Sequence, residues 1–190
     1  KIQDLGKRKI PSPLTVGYFK TDDEQIIYDI HLRREGTRVK SRAIPISMEI
    51  AGPRETIYFD PPKVKAAIAS CGGLCPGIND VIRAIVMELH FRYAVQNIIG
   101  IRYGFQGLIP SYGHEVTELT FEMVKEIQDL GGSILASSRG DQKVGEMVDA
   151  LERMNINVFF MIGGDGTMRA ADLITREVTR RKLKISIIGI

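Results

Sequence analysis

The sequence predicts an α/β fold: a doubly wound, mainly parallel sheet, preceded by an extended arm of short strands. Three observations predict it. From Lys63 onward, apolar runs of strand length alternate with segments whose apolar residues recur at helical spacing. Glycine clusters follow several of those runs, where a strand would turn into a helix. Before that point Pro11, Pro13, Pro45, Pro53, Pro61 and Pro62 interrupt the chain, so no long helix fits there.

The arm, residues 1–62, contains the strand-like runs Gln25–Leu32, Ala43–Ile50 and Thr56–Phe59. Pro61-Pro62 marks its end, and residues 63–190 form the α/β domain. That domain opens with Val64–Ser70, an apolar strand running into glycine. Ile78, Val81, Ile82, Ile85, Val86 and Leu89 then place one face of a helix over Ile78–Tyr93. Asn97–Arg102 reads as a strand. Phe121, Val124, Ile127 and Leu130 mark a helix closed by Gly131-Gly132. Ser133–Ala136 is a short strand, Val144–Met154 a helix and Asn157–Ile162 a buried strand. Thr167–Lys182 is a helix and Lys184–Ile190 a last strand. Strands alternating with helices in this way build a parallel sheet covered on both faces.

Composition narrows the class. Of 190 residues, 44% are hydrophobic and 26% charged, the balance of a soluble globular protein. No apolar run reaches the roughly 20 residues that span a bilayer, and the basic first residues lack the apolar core of a secretory signal. The chain opens on Lys1, which reads as a processed chain or a piece of a longer one. A net charge of +3 does not call for nucleic acid, and Arg180-Arg181-Lys182 with Lys184 reads as a solvated helix end. Cys71 and Cys75 cannot supply a four-ligand zinc site, and His31, His90 and His114 are scattered. Both cysteines read as small loop residues in a reducing compartment.

Chemistry concentrates in the loops, because parallel sheets bind ligands beyond the C-terminal ends of their strands. In Cys71-Gly72-Gly73-Leu74-Cys75-Pro76-Gly77-Ile78-Asn79, Gly72 and Gly73 can adopt positive φ and admit a phosphate to the backbone. The helix that follows points free N–H groups the same way. The alternative is a tight turn with packing glycines. The loop lacks the Lys-Ser/Thr ending of a P-loop. In Gly163-Gly164-Asp165-Gly166-Thr167, the glycines leave room for a polyphosphate, Asp165 can hold Mg²⁺, and Thr167 can cap the next helix and offer its hydroxyl. The alternative for Asp165 is a plain turn residue or N-cap. Arg139, in Ser137-Ser138-Arg139-Gly140-Asp141, could grip phosphate oxygens bidentately; otherwise it is a surface arginine. Phe105, in Tyr103-Gly104-Phe105-Gln106-Gly107, is either an apolar wall for a base or a packing aromatic.

These loops, in this order and spacing, resemble the 6-phosphofructokinase family. The match runs from about Lys65 to Ile190 through Gly72-Gly73, Pro76-Gly77-Ile78-Asn79-Asp80-Val81-Ile82-Arg83, Gly104-Phe105-Gln106-Gly107-Leu108, Ser138-Arg139-Gly140 and Gly163-Gly164-Asp165-Gly166-Thr167. NAD kinases and diacylglycerol kinases also carry the last segment, but have no need of the earlier loop. Glu49-Ile50-Ala51-Gly52-Pro53-Arg54-Glu55 looks like the segment before the core in the long-form, trypanosome- and plant-like branch.

The resemblance implies a Rossmann-like nucleotide domain in an ATP-dependent glycolytic kinase acting on fructose 6-phosphate. Gly72, Gly73, Phe105, Arg139, Gly140, Gly164, Asp165, Gly166 and Thr167 would bind the nucleotide, with Asp165 the Mg²⁺ site and Arg139 stabilising charge in the transition state. Leu74-Cys75 replaces the Asp-Ala of bacterial short forms, as is usual in the long-form branch. Pyrophosphate-dependent members carry Asp where this chain has Gly166, which favours ATP as donor. The family's catalytic base sits in a Pro-Lys-Thr-Ile-Asp-Asn-Asp-type loop that would follow Ile190. The 190 residues alone would therefore bind nucleotide without turnover. A homotetramer, allosteric control and a cytoplasmic or glycosome-like compartment are further implications, with neither nucleic acid nor membrane as partner. A pyrophosphate-dependent enzyme, an NAD or lipid kinase, and a non-catalytic binding module are the competing readings.

Overall fold

A computed structural model describes residues 5–15, 17–28 and 46–190. They fall into two compact units, Lys1–Tyr58 and Phe59–Ile190. The predicted runs Gln25–Leu32 and Ala43–Ile50 extend partly outside the described residues, and His31 lies wholly outside them.

The first unit holds two small antiparallel ladders. Strand β1 (Ile10–Pro11) pairs with β4 (Thr56–Ile57), and β2 (Gln25–Ile27) with β3 (Ser47–Glu49). Arg54 ties this unit together. Its guanidinium donates to Asp22 Oδ1 at 3.2 Å, to Gly52 O at 3.0 Å and to Ile50 O at 2.9 Å.

The second unit is built on a five-stranded sheet. Its strands are β5 (Lys65–Ser70), β6 (Asn97–Ile101), β7 (Thr117–Glu118), β8 (Val158–Ile162) and β9 (Ser186–Gly189), in the spatial order β7-β6-β5-β8-β9. All neighbours are parallel except the short edge strand β7, which runs antiparallel to β6. The expected doubly wound, mainly parallel sheet is therefore present.

Side chains alternate between its faces as the two-residue period requires. Ala67 and Ala69 of β5, with Phe159 and Met161 of β8, pack under α3 (Val144–Arg153) and α4 (Asp165–Arg180). Ala66 and Ile68 join Ile162 under α1 (Ile78–Met87) and α2 (Phe121–Val124). The alanines matter here, because small residues on the central strand let helices approach from both sides. Each fully buried large side chain, Phe159 and Ile68 among them, contributes about 1.5–3 kcal/mol.

Three expectations need correcting. Ser133–Ala136 is not a strand: Ile134 and Leu135 form a turn, and Ala136 takes a left-handed conformation with φ 53°. The fifth strand is instead β7. The predicted helix over residues 121–130 is two pieces, α2 and a 3₁₀ turn at Ile127–Asp129, with Lys125 and Glu126 between them. The helix from Ile78 does run to Arg92, but its last turn, Glu88–Arg92, is π-helical.

Two cations of the basic helix end, Arg180 and Arg181, are paired with acids. Arg181 donates to Glu177 at 2.7 Å and pairs with Asp149, which joins α4 to α3. Hydrogen bonds from Arg180 and then Arg181 hold the Glu177 carboxyl down at about 2. Among the described residues, no helix is long and apolar enough to cross a membrane.

Candidate functional site

The C-terminal ends of β5 and β8 lie side by side, with Cys71 N–H donating to Ile162 O at 2.8 Å. The glycine loops leave from these two ends, so the sheet itself brings them together. Gly72 has φ 80°, which only glycine adopts without strain. Gly73, against expectation, is outside the left-handed region; its role is space, since a Cβ there would stand 3.7 Å from Arg139 Nη2. Gly163 is a packing glycine, because a Cβ would lie 2.6 Å from Cys71 O and collide with Thr167.

A cavity of about 270 Å³ opens between these loops. Gly72, Gly73, Phe105, Arg139, Gly140, Gly164, Gly166 and Thr167 line it, joined by Cys71, Ser138 and Asp141. The one predicted site residue outside that lining is Asp165. It is exposed at the first position of α4, beside lining residues Gly164 and Gly166. Among the described residues neither Arg139 nor Asp165 carries an ion pair, and the lining holds Asp141 together with Arg139.

Which helix faces the cavity also differs from expectation. The lining contains no residue of α1, whose N-cap is Gly77. It contains the first turn of α4, a 16-residue helix whose N-cap, Gly164, supplies no side-chain cap. The first N–H groups of α4 and its positive dipole end are therefore available to an anion. Thr167 does not cap that helix. It is the third residue inside it, 5% exposed, with its hydroxyl between the two glycine loops.

A second cavity, about 350 Å³, adjoins the first and shares Phe105, Asp141 and Gly166 with it. Its other walls are Val144, Met147, Ala170 and Leu173, with Gln142 and Arg169 at the margin. A polar, glycine-walled cavity thus continues into an apolar one, with the Phe105 ring bordering both. Burial pushes the Cys71 thiol up to about 12, partly offset by a backbone hydrogen bond from Phe105. Cys71 is therefore an inert wall, and Cys75 is exposed and free.

Sequence reasoning missed two side chains. Ser70 and Asn79 are 1% and 2% exposed, the deepest polar groups among the described residues. Ser70 Oγ donates to Ala136 O at 2.6 Å, and Asn79 bridges Leu130 O and Ile134 N at 2.9 Å each. Asn79 stands inside a quoted motif, but no pattern distinguishes a buried amide from an exposed one.

Known proteins share this architecture. Residues 65–190 match the Phosphofructokinase family model. The ATP-dependent 6-phosphofructokinase of Borreliella burgdorferi is 46% identical over 198 residues, covering 100% of this chain and 43% of that protein. The Trypanosoma cruzi enzyme of the same name is 39% identical over 196 residues, with 100% and 40% covered. Among solved structures, a pyrophosphate-dependent phosphofructokinase from Marinobacter aquaeolei superposes with a TM-score of 0.59 at 18% identity, over 66% of this chain and 33% of that one. Pichia pastoris phosphofructokinase in the T-state gives 0.58 at 22% identity, over 74% and 16%. The chain spans less than half the length of these relatives. With the family model matching residues 65–190 and relatives 46% and 39% identical across the whole of this chain, the chain belongs to the phosphofructokinase family.

Proposed function

We propose that residues 63–190 are the donor half of an ATP-dependent 6-phosphofructokinase, with residues 1–62 an arm outside that half. The complete protein would transfer the γ-phosphoryl group of MgATP to the 1-hydroxyl of fructose 6-phosphate. The observation that carries this reading is the convergence of Gly72, Gly73, Arg139 and the uncapped start of α4 on one cavity. Phosphoryl transfer needs little from the protein beyond positioning and charge neutralisation, and those groups supply both.

In this reading the triphosphate lies over Gly72, Gly73, Gly140, Gly164 and Gly166, whose missing side chains leave room for it. Backbone N–H groups at the start of α4 meet its oxygens. Arg139 holds the transferring group and balances charge as it moves. The nucleoside extends past Phe105 into the apolar cavity. The Thr167 hydroxyl, buried between the loops, donates to a phosphate oxygen.

The donor set fits Mg²⁺ carried by the phosphates. Among the described residues no three His, Cys, Asp or Glu side chains cluster as a protein-built metal site. Asp165 beside the cavity and Asp141 in its lining are exposed carboxylates, and Mg²⁺ is typically held by one or two carboxylates, water and substrate phosphates. The bound ion would neutralise charge on the β- and γ-phosphates. The base that accepts the sugar hydroxyl proton, and the sugar phosphate pocket, would belong to the part of the relatives that this chain does not span. A homotetrameric, allosterically controlled, cytoplasmic enzyme completes the proposal.

The test uses the complete protein. Product formation is measured with ATP or pyrophosphate as donor, and with fructose 6-phosphate, NAD or diacylglycerol as acceptor. Only the ATP and fructose 6-phosphate pair should turn over. Asp165→Ala should cut kcat by about a thousandfold while leaving thermal unfolding unchanged, given its exposed position. Near-normal kcat at saturating Mg²⁺ would remove Asp165 from the metal site.

A further inference from the structure

We infer that Asn79, with Ser70, is a positioning residue for Arg139: a buried polar clasp fixes the loop that presents the guanidinium. The inference rests on the proposed role of Arg139 and adds the means by which it is placed.

Arg139 sits on a segment with no regular structure of its own. Residues 130–139 form neither strand nor helix, so no ladder orders their backbone. Side chains take most of that role, beside one backbone bond from Tyr103 N–H to Leu135 O at 2.8 Å. Asn79, in the first turn of α1, donates through Nδ2 to Leu130 O and accepts from Ile134 N–H through Oδ1, both at 2.9 Å. Ser70, the last residue of β5, donates to Ala136 O at 2.6 Å and lies 2.7 Å from Ser133 Oγ. Ser133 Oγ in turn accepts from Leu135 N–H at 3.2 Å. The far end is tied to the glycine loop itself: Gly72 N–H donates to Ser138 O at 3.0 Å, and Ser137 Oγ to Gly72 O at 2.6 Å.

Two features separate this arrangement from ordinary loop bonding. Asn79 and Ser70 are almost wholly buried, at 2% and 1% exposure, where a hydrogen bond that is broken leaves a partner unpaired away from water. The bonds also converge on one segment from two elements, β5 and α1, and the last of them, from Ser70, reaches Ala136, three residues before Arg139. Leu135, fully buried at the middle, stops the segment sliding. The backbone of residue 139 is thereby held in register with Gly72, the other wall of the cavity.

A double-mutant cycle on the complete protein tests this. Asn79→Ala, Arg139→Ala and the double variant are assayed with MgATP and fructose 6-phosphate, alongside thermal unfolding of each. Asn79→Ala should lower kcat roughly 10- to 100-fold, as expected for a displaced group near the reacting atoms. Added to Arg139→Ala it should cost almost nothing more, because the group it positions is already absent. Losses that multiply in full in the double variant overturn the inference and make Asn79 a residue of the fold alone. An unchanged kcat in Arg139→Ala overturns the role of Arg139, and this inference with it. If Asn79→Ala does not fold, Ser70→Ala, which deletes the clasp's other side chain and its bond to Ala136 O, serves in the same cycle with the same two outcomes.

Discussion

Gly73 faces Arg139 across the cavity so closely that a single added carbon would stand 3.7 Å from the guanidinium. Glycine here keeps a volume open. Its backbone lies outside the left-handed region, so a larger residue meets no conformational penalty. Gly73→Leu should therefore leave stability within about 0.5 kcal/mol of the parent. It should raise KM for ATP about tenfold or more by filling the phosphate space. Steady-state kinetics and thermal unfolding on the complete protein check both, and an unchanged KM would place the phosphates elsewhere.

Gly166 offers a cleaner test of charge. A Cβ at that position meets no atom within 4 Å, and the residue is in the first turn of α4, where an acid suits the helix dipole. Gly166→Asp should thus fold normally, yet raise KM for ATP about tenfold through repulsion of the phosphates. Gly166→Asn, of similar bulk and no charge, should show much less of this. Equal effects in the two variants would assign the loss to bulk.

Cys71 makes stability depend on pH in a defined window. Burial holds its folded-state pKa at about 12, against an ordinary 9.0. Between those values the unfolded thiol has lost its proton and the folded one has kept it. Stability is therefore complete below about pH 9 and falls as pH rises toward 12. Urea unfolding at pH 8 and pH 10.5 should show a larger loss for the parent than for Cys71→Ala. A thiol reagent at pH 8 should label Cys75, which is exposed, and spare Cys71 in the folded chain.

Leu135 and Gly100 pack as a pair. Leu135 is fully buried, and a Cβ on Gly100 would strike its Cδ2. Leu135→Ala should destabilise by about 2–5 kcal/mol. Gly100→Ala should destabilise alone, and should do so less in the Leu135→Ala background, where the added methyl has room. Denaturant midpoints of the three variants measure that coupling.

The sequence made visible what repeats. Apolar periodicity located β5, β6, β8, α1, α3 and α4, and glycine clusters located the loops of the cavity. It failed where tertiary contacts decide. Ser133–Ala136 has a strand's mix of small and apolar residues, but side chains from Ser70 and Asn79 take its backbone groups and Ala136 turns left-handed. Strand β7 is two residues long, too short for any period. In the site, residue types pointed to Gly72, Arg139 and Thr167, but not to the side of the cavity each would occupy. Thr167 was expected at the helix cap and lies inside the helix; Asp165, expected as the Mg²⁺ ligand, stands just outside the cavity lining at the first position of α4. The serine and asparagine beneath the loop gave no signal, because hydrogen bonds between residues 55 positions apart leave no periodicity to read.

The register of the sheet has a consequence for how such a chain comes off the ribosome. Ser70 pairs with Ile162, so the two strand ends that bound the cavity are made far apart in time. At roughly 5–20 residues per second the emerging β5 waits several seconds for its neighbour. Until β8 arrives, one long side of the central strand is bare and the loop after it has nothing to enclose. A ligand of this cavity can add nothing to stability before β8 is made, and the bare edge of the half-built sheet is open to chaperones and to aggregation.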